Sequence, residues 1–347
     1  MNTTPSLIPV TLLTGFLGSG KTTVLNHLVR QAELADALVI INEFGEMPLD
    51  HMLVAHSTEN PVMEMSSGCL CCTIRSDLAQ TLRDITWRFS RNGRRQFRRV
   101  LIETTGLADP APIIHTLMTH PQVAKHYRLD GIVATVDLAT GNATLDRHPE
   151  AVRQAAIADC LLLTKADMVD NDQRQTLLQR LDAINPAAPR HISKHGEIAA
   201  SKVLDLGLFS TDGKTPDVKQ WLHEAAYRED AQQHTAAHHH GTTHHDDHIQ
   251  AFCFTVDEPI SEGSLDAWLE LLLNLVGTNI LRIKGILNIQ DQDQPVVIHG
   301  VQHILYPPTT LPAWPDADRR SRLVFITRDV SRHEIEETLH VLRGSLS

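Results

Sequence analysis

The sequence has few aromatic residues and no long apolar run. Phe, Trp and Tyr make up 4% of its 347 residues, so the core must rest mainly on Leu, Ile, Val and Ala. No apolar run approaches the roughly 18–20 residues that a membrane span needs. Residues 1–10 also lack a basic region followed by a long apolar stretch, so we expect no signal peptide. These absences argue against a membrane or secreted protein and favour a cytoplasmic one.

The chain also has few cysteines and an excess of acidic residues. Its formal net charge of −11 argues against a nucleic acid as the main partner. Three of the five cysteines are clustered at Cys69, Cys71 and Cys72. Cys160 and Cys253 lie in apolar, strand-like runs and are expected to be inert core residues. Without a secretion signal, the cluster indicates metal binding or reactive thiols rather than a disulfide framework.

Short apolar runs alternate with helical patterns in the first part of the chain. The predicted strands are 7–14, 37–42, 62–65, 99–104, 131–137, 160–164 and, more weakly, 191–194. The predicted helices that follow some of them are 22–31, 76–89 and 172–184. This alternation is typical of an α/β fold in which a parallel sheet is covered by helices on both faces.

The pattern changes after residue 230. Residues 234–248 contain seven histidines and no apolar periodicity, which predicts a linker rather than a packed element. Beyond it the predicted strands are 251–256, 280–289, 296–305 and 323–327, and the predicted helices are 264–275 and 332–342. We therefore predict a large domain at 1–230, a His-rich linker at 231–249, and a small α+β domain with an antiparallel sheet at 250–347.

Residues 15–22 fit the phosphate-binding pattern G-x-x-x-x-G-K-[ST], between a predicted strand and a predicted helix. Glycines let backbone amides face the phosphates, and the helix start adds the positive end of its dipole. Lys21 would contact the β- and γ-phosphates, and the Thr22 hydroxyl would ligate Mg²⁺. The expected nucleotide contacts in this segment are Gly15, Gly18, Ser19, Gly20, Lys21, Thr22 and Thr23. The fold class is therefore that of a P-loop NTPase.

An acid and a glycine follow a later apolar strand. In P-loop proteins an acid at a strand end holds Mg²⁺, often through water, and Glu103 occupies such a position. Gly106 would then give its N–H to the γ-phosphate. The alternative is that Glu103 only caps a boundary between strand and loop. Lys21 and Glu103 are the expected catalytic residues.

Residues 164–167 read Thr-Lys-Ala-Asp, which is similar to the Asn-Lys-x-Asp guanine motif. Asp167 would accept hydrogen bonds from both the ring N–H and the exocyclic amine of guanine, and adenine offers neither donor in that arrangement. The stem of Lys165 would cover the base plane. Thr164 stands where Asn is usual. Downstream of a P-loop, the motif favours GTP over ATP.

The cysteine cluster lies between a predicted strand and a predicted helix, where thiolate is favoured. Three thiols within four residues suit Zn²⁺, or Co²⁺ and Ni²⁺ with less preference. Adjacent residues converge poorly, so we expect two of the three thiols, from Cys69, Cys71 and Cys72, to bind one ion. Candidate partners elsewhere in the sequence are Glu43, Glu46 and His120. A set of small buried side chains and a redox site are the alternatives.

The sequence resembles the CobW-type family of metal-linked P-loop GTPases, relatives of the accessory GTPases that deliver nickel to urease and hydrogenase. The resemblance rests on residues 14–23, 42–46, 68–72, 103–110 and 164–167, in that order. It implies a GTPase with a metal site between its switch elements, so that metal occupancy and nucleotide state are coupled. The His-rich linker and the small C-terminal domain extend the resemblance over nearly the whole chain.

The resemblance also assigns roles to individual residues. It implies phosphate and Mg²⁺ contacts for Lys21 and Thr22, and thiolate ligation by Cys71 with Cys69 or Cys72. It further implies that Glu46 and His120 are metal ligands. One position departs from the pattern: where some relatives have an additional acid, this chain has Ile41, which cannot ligate a metal.

Our leading interpretation is a GTPase that binds GTP, Mg²⁺ and Zn²⁺ (or Co²⁺ or Ni²⁺) and passes the metal to an unidentified metalloprotein client. A metal-storage or metal-sensing protein with negligible hydrolysis, and an ATP-dependent kinase, are the rival hypotheses. We expect no nucleic-acid or membrane partner, and a homodimer stays an open alternative. The five arginines of residues 91–99 are expected at an exposed helix end and turn, and residues 234–248 form either a metal reservoir or a solvated linker.

Overall fold

The computed structural model describes residues 7–41, 62–64, 73–91, 94–207, 222 and 248–339. The chain divides into two compact units. The first unit comprises residues 1–144, 158–177 and 188–216, and the second comprises residues 145–157, 178–187 and 217–347.

The first unit is built on a parallel sheet. The strands up to residue 192 are β1 (Ile8–Gly15), β2 (Ala37–Ile41), β3 (Val62–Glu64), β4 (Ser90–Arg91), β5 (Arg94–Arg95), β6 (Arg99–Glu103), β7 (Tyr127–Asp137), β8 (Cys160–Thr164) and β9 (Arg190–Ile192). Seven of them form one sheet in the order β3-β2-β6-β1-β7-β8-β9, and every neighbouring pair is parallel. β4 and β5 form a separate antiparallel pair. The predicted parallel α/β sheet is confirmed.

Helices connect these strands. They are α1 (Lys21–Leu28), α2 (Thr73–Arg88), α3 (Ala111–Thr119), α4 (Pro121–Ala124), α5 (Gly141–Arg147), α6 (Pro149–Ile157) and α7 (Asn171–Ile184). Of these, α6 and the C-terminal parts of α5 and α7 fall within the second unit. The apolar face of α1, with Val24, Leu25 and Leu28, packs in one core cluster with sheet residues such as Leu13 and Val39. Among the described residues, none of these or the later helices has the length and apolar character that crossing a bilayer requires.

The second unit contains an antiparallel sheet, as predicted. Its strands are β10 (Ile249–Val256), β11 (Ile280–Leu287), β12 (Val296–Val301), β13 (Ile304–Leu305), β14 (Thr309–Thr310) and β15 (Ser321–Arg328). They follow the order β10-β15-β11-β12-β13, and β14 pairs with β12. The single predicted strand at 296–305 is in fact two, because the chain turns at Gln302, whose φ of 54° is left-handed.

Two helices pack with that sheet around a core that includes Trp268 and Phe325. They are α8 (Glu262–Val276) and α9 (Arg332–Thr338). α9 begins with a capping box, in which the Ser331 hydroxyl accepts from the Glu334 amide and the Glu334 carboxylate accepts from the Ser331 amide. The local sequence thus fixes where this helix starts.

The arginine-rich stretch 91–99 is only partly the exposed helix end and turn that we predicted. Arg99 begins β6 and is buried, and its guanidinium lies 2.6 Å from Asp130 and 2.8 Å from Asp205. Asp130 is fully buried and also accepts hydrogen bonds from Thr11 and the backbone amide of Asp205. Burial lowers the pKa of the neighbouring Arg128, and Asp130 opposes that shift. This network ties β1, β6 and β7 to the segment near residue 205.

The two isolated cysteines are buried, as predicted. Cys160 and Cys253 are both free thiols, and burial raises the pKa of the Cys160 thiol to about 12. Cys160 therefore stays protonated and inert at neutral pH.

Candidate functional site

Four strands bring the predicted nucleotide-binding segments to one edge of the parallel sheet. β1 ends at Gly15, β6 at Glu103, β7 at Asp137 and β8 at Thr164. These strands are neighbours in the order β6-β1-β7-β8, so their carboxyl ends share an edge. In open α/β sheets, ligands bind outside the carboxyl ends of the strands. The structure thus places residues 15–22, 103–106 and 164–167 together.

Glycines shape the loop that follows β1. Gly15, Gly18 and Gly20 have φ values of 135°, 73° and 92°, in the region that L side chains rarely adopt. At Gly15 space is also lacking, because a Cβ would lie 2.2 Å from Thr135 Oγ1 and 2.9 Å from Ser19 Oγ. The loop can therefore take this shape only with glycine at these positions.

Lys21 lies at the start of α1 and folds back over the loop. Its Nζ donates to the carbonyl oxygens of Gly15 at 2.9 Å and Phe16 at 3.2 Å. The side chain is buried despite its charge. Its positive charge is therefore held inside the loop, beside the helix start, where anions are favoured.

Thr22 and Glu103 contact each other. The Thr22 hydroxyl donates to Glu103 Oε1 at 2.8 Å, and Glu103 is buried. Mg²⁺ prefers oxygen ligands in octahedral geometry at about 2.0–2.1 Å, which places neighbouring ligand oxygens about 2.9 Å apart. A hydroxyl and a carboxylate oxygen at this separation fit two adjacent positions around Mg²⁺.

The segment after β6 touches the P-loop through its glycine. A Cβ at Gly106 would lie 2.5 Å from the Leu17 amide nitrogen and 2.7 Å from Leu17 Cα. The Thr104 hydroxyl also donates to Thr14 Oγ1 at 2.9 Å. Gly106 is thus required by close backbone approach, and the chain after Glu103 lies against the phosphate-binding loop.

Two hydroxyl groups from neighbouring strands hold the P-loop in place. Thr164 Oγ1 donates to the Ser19 carbonyl at 2.8 Å, and Ser19 Oγ lies 2.6 Å from Thr135 Oγ1. The Ser19 hydroxyl and backbone amide therefore both have partners within the protein, since the amide donates to the Phe16 carbonyl at 3.1 Å. The sequence did not predict the supporting contacts of Thr135 and Thr164, because the partners lie more than a hundred residues apart.

The guanine motif follows β8 directly. Lys165 has a left-handed φ of 55°, and its ammonium lies 2.6 Å from Asp137 Oδ2 at the end of β7. Asp167 lies in a short 3-10 turn and is exposed, so it is open to a ligand rather than buried. Sequence reasoning missed Asp137, whose position next to Lys165 depends on the pairing of β7 with β8.

A second loop missed from the sequence lies at residues 193–197, after β9. Gly196 has a φ of 86°, and a Cβ there would lie 2.6 Å from the carbonyl oxygen of Thr23. The loop therefore packs against the first turn of α1. A glycine just after the weakly predicted strand was the available signal. Thr23 itself is exposed.

Of the predicted transition-metal ligands, His120 lies within the described residues. Cys69, Cys71, Cys72 and Glu46 lie outside the described residues. His120 lies between α3 and α4, and its Nδ1 is buried without a hydrogen-bond partner in the described part of the chain. Ile41 is the last residue of β2. Within the described ranges, no three His, Cys, Asp or Glu side chains are grouped so that they could hold a metal ion.

Known proteins share this organisation. Residues 9–191 match the nucleotide-binding domain of the CobW/HypB/UreG family, and residues 249–343 match the C-terminal domain of the cobalamin synthesis protein cobW. The chain is 33% identical over 336 residues to the zinc chaperone YjiA of Escherichia coli (strain K12), covering 97% of this chain and 99% of that protein. It is 28% identical over 323 residues to the zinc chaperone CobW of Sinorhizobium sp, covering 85% of each.

A solved structure agrees with the sequence comparisons. The crystal structure of Zn(II)-bound YjiA GTPase from E. coli has a TM-score of 0.70 and 28% identity, and covers 98% of this chain and 100% of its own. The chain therefore belongs to the CobW/HypB/UreG family of P-loop GTPases.

Proposed function

We propose that this protein binds GTP with Mg²⁺, hydrolyses it slowly, and uses the nucleotide cycle to control transfer of a transition metal to a client protein. The nucleotide-binding part of this proposal rests on the 2.8 Å hydrogen bond between Thr22 and Glu103. This pair lies beside the glycine-containing loop that holds Lys21. Zinc is the proposed cargo, since the two relatives named above are zinc chaperones, and cobalt and nickel are the alternatives.

The proposed roles in phosphate binding follow from the loop geometry. Backbone amides of residues 15–22 would face the phosphates, as the left-handed glycines allow. Lys21 would exchange its hydrogen bonds to Gly15 and Phe16 for contacts with the β- and γ-phosphate oxygens. Such an exchange costs little, because the ammonium is already inside the loop. Gly106 would offer its N–H from the segment that touches Leu17.

Thr22 and Glu103 would hold Mg²⁺, Glu103 directly or through water. The ion would neutralise charge on the phosphate oxygens. Among the residues described, we assign no glutamine or arginine to position water or to neutralise charge at the γ-phosphate. The proposal therefore includes slow intrinsic turnover, which metal or a client would accelerate.

The proposed cargo site uses thiolates of Cys69, Cys71 and Cys72, with Glu46 and His120 as further ligands. Two features support a link to the nucleotide site. The cysteines follow the end of β3 by a few residues in sequence, and β3 ends at the same sheet edge as β1. His120 has a buried, unpartnered Nδ1 within the described residues, which a soft or borderline ion would satisfy.

The coupling is tested by GTPase rates of wild type and Cys71→Ala, each with and without Zn²⁺. We expect Zn²⁺ to change the wild-type rate and to leave the variant unaffected. Equal rates in all four conditions would remove the coupling. GTP binding without hydrolysis would favour the metal-storage or metal-sensing alternative.

The nucleotide specificity is tested by competition binding of GTP, ATP and XTP to wild type and to Asp167→Asn. An aspartate accepts from both donors of guanine, whereas an asparagine amide can donate to the additional carbonyl of xanthine. We expect the wild type to prefer GTP and the variant to gain affinity for XTP. A wild-type preference for ATP would support the kinase alternative.

A further inference from the structure

A buried acid stands next to the proposed base site and has no role in the function described so far. Asp137 is the last residue of β7, and its side chain is 8% exposed. Burial alone would raise the pKa of its carboxyl, but hydrogen bonds from Lys165, the Ala139 amide and the Thr140 hydroxyl outweigh it and hold the pKa below its usual range. Asp137 is thus a fixed, ionised acceptor at the carboxyl edge of the sheet.

The two carboxylate oxygens of Asp137 have different partners. Oδ1 accepts from the backbone amides of Ala139 at 2.8 Å and Thr140 at 3.4 Å, which fixes the turn after β7. Oδ2 accepts from the Thr140 hydroxyl at 2.9 Å and from the Lys165 ammonium at 2.6 Å. One oxygen therefore holds the local turn, and the other reaches across to the guanine motif.

The backbone of Lys165 is shaped for this contact. Its φ of 55° and ψ of 36° lie in the left-handed region, which is unfavourable for a non-glycine residue. The Lys165 side chain is 37% exposed, so the ion pair at its ammonium, rather than packing along its aliphatic stem, holds it in place. A strained backbone and an anchored ammonium together hold the aliphatic stem in one place.

We propose that Asp137 is a positioning residue for the nucleotide base: it anchors the Lys165 ammonium so that the lysine stem forms a preformed surface for one face of the purine. This inference rests on the proposed GTP binding. A free lysine would lose side-chain freedom when a base packs on it, and anchoring removes that cost before binding. In this proposal the ion pair would contact the base side of the nucleotide rather than the phosphates, since Lys165 belongs to the guanine motif, so its effect should depend on the base.

The test compares wild type with Asp137→Asn, Lys165→Met, the double variant and a control. In Asp137→Asn the amide oxygen would still accept from the turn amides in place of Oδ1, but the amide nitrogen cannot accept from an ammonium. Met keeps the length of the stem and lacks the charge. Asp170→Asn is the matched control, because Asp170 is an exposed acid near the motif whose Oδ1 accepts from the Gln173 amide.

The readouts are calorimetric titrations with GTP and with inorganic tripolyphosphate, both in the presence of Mg²⁺. We expect Asp137→Asn and Lys165→Met each to weaken GTP binding roughly 3- to 10-fold, which corresponds to ordering about one side chain. The double variant should be no weaker than Lys165→Met alone. Tripolyphosphate affinity should be the same in all five proteins, and Asp170→Asn should bind GTP like wild type.

Three results would overturn the inference. The first is that Asp137→Asn binds GTP as tightly as wild type. The second is that Asp137→Asn lowers GTP affinity by the same factor in the Lys165→Met background. The third is that Asp137→Asn lowers the affinity for tripolyphosphate as much as the affinity for GTP. If Asp137→Asn does not fold, Lys165→Met alone tests the inference. Unchanged GTP affinity in Lys165→Met would show that anchoring of the lysine stem does not contribute to binding. Failure of the proposed function is recognised separately, since wild type itself would then not bind GTP.

Discussion

Replacing Thr164 by Val removes one hydroxyl and changes little else. That hydroxyl donates to the Ser19 carbonyl at 2.8 Å and lies 3.3 Å from the Val136 carbonyl, and Thr164 is only 5% exposed. Leaving a buried carbonyl without its donor costs about 1–3 kcal/mol. Because the carbonyl belongs to the P-loop, the loss should weaken both the fold and the loop geometry that nucleotide binding requires.

Thr164→Ser is the matched control. It keeps the hydroxyl and removes the methyl group, which lies near Gly20, where a Cβ would be 3.4 Å from Thr164 Cγ2. Losing one buried methyl costs about 1 kcal/mol. Both variants should therefore lower the free energy of unfolding by comparable amounts, but only Thr164→Val releases the loop carbonyl. We expect Thr164→Val to weaken GTP binding roughly 5- to 30-fold, as 1–2 kcal/mol implies, and Thr164→Ser to bind GTP nearly as wild type does.

Urea unfolding and GTP titration in the presence of Mg²⁺ measure the two quantities on the same samples. The reasoning is refuted if Thr164→Val is less stable than wild type but binds GTP with the same affinity. It is also refuted if Thr164→Ser loses as much GTP affinity as Thr164→Val, because the methyl group would then be the part that matters.

Three further substitutions or treatments test other contacts. Gly106→Ala should abolish GTP binding measured by titration, because its Cβ would lie 2.5 Å from the Leu17 amide nitrogen. Asp130→Asn should lower the free energy of unfolding in urea by about 3–5 kcal/mol, since Arg99 then loses a buried partner at 2.6 Å. Cys160 should escape iodoacetamide in the native protein at about pH 8 and react in urea, as mass spectrometry can show, because burial raises the pKa of its thiol to about 12.

Each of these expectations has a contrary result. Normal GTP affinity in Gly106→Ala would mean that the segment after β6 can move away from the P-loop at little cost. Stability of Asp130→Asn within about 1 kcal/mol of wild type would mean that the buried charges are replaceable by neutral hydrogen bonds. Rapid native labelling of Cys160 would mean that β8 opens readily.

The sequence predicted those strands whose side chains are mainly apolar, because strands buried on both faces need such runs. It placed the start of β7 four residues too late, at 131 instead of Tyr127. The missed residues include Asp130, which is fully buried, and Arg128, which is partly buried. Both are charged and join the ion-pair network with Arg99. A charge that is neutralised within the fold cannot be distinguished in sequence from a charge in solvent.

Helices at 141–157 were missed for a different reason. α5 and α6 span only seven and nine residues, and Pro149 starts the second almost directly after the first, so each is shorter than the roughly 11–18 residues over which a helical pattern can be recognised. In the site, the glycines and Lys21 were predictable because their spacing is local. The contact between Asp137 and Lys165 was not, because it depends on which strands are neighbours in the sheet.

The P-loop contacts two kinds of neighbouring structure, regular strands of the sheet and an irregular segment. Ser19 is held by Thr135 on β7 and Thr164 on β8, two strands that pair with each other and are supported on both sides by sheet hydrogen bonds. Leu17 instead packs against Gly106, which lies in the irregular segment between β6 and α3. A change in the P-loop when nucleotide binds should therefore displace the segment at Gly106 more readily than the strands.

That segment leads directly to His120, the one proposed ligand of the transition metal that lies within the described residues. Residues 104–110 join β6 to α3, the Asp109 carboxylate accepts from the Ala111 amide at the helix start, and His120 follows the last residue of α3. A helix transmits displacement of its first turn to its last because its hydrogen bonds keep its length nearly fixed. Movement at Gly106 on nucleotide binding should therefore reach the His120 ring, and this gives the proposed coupling between GTP and metal a path of contiguous, named contacts.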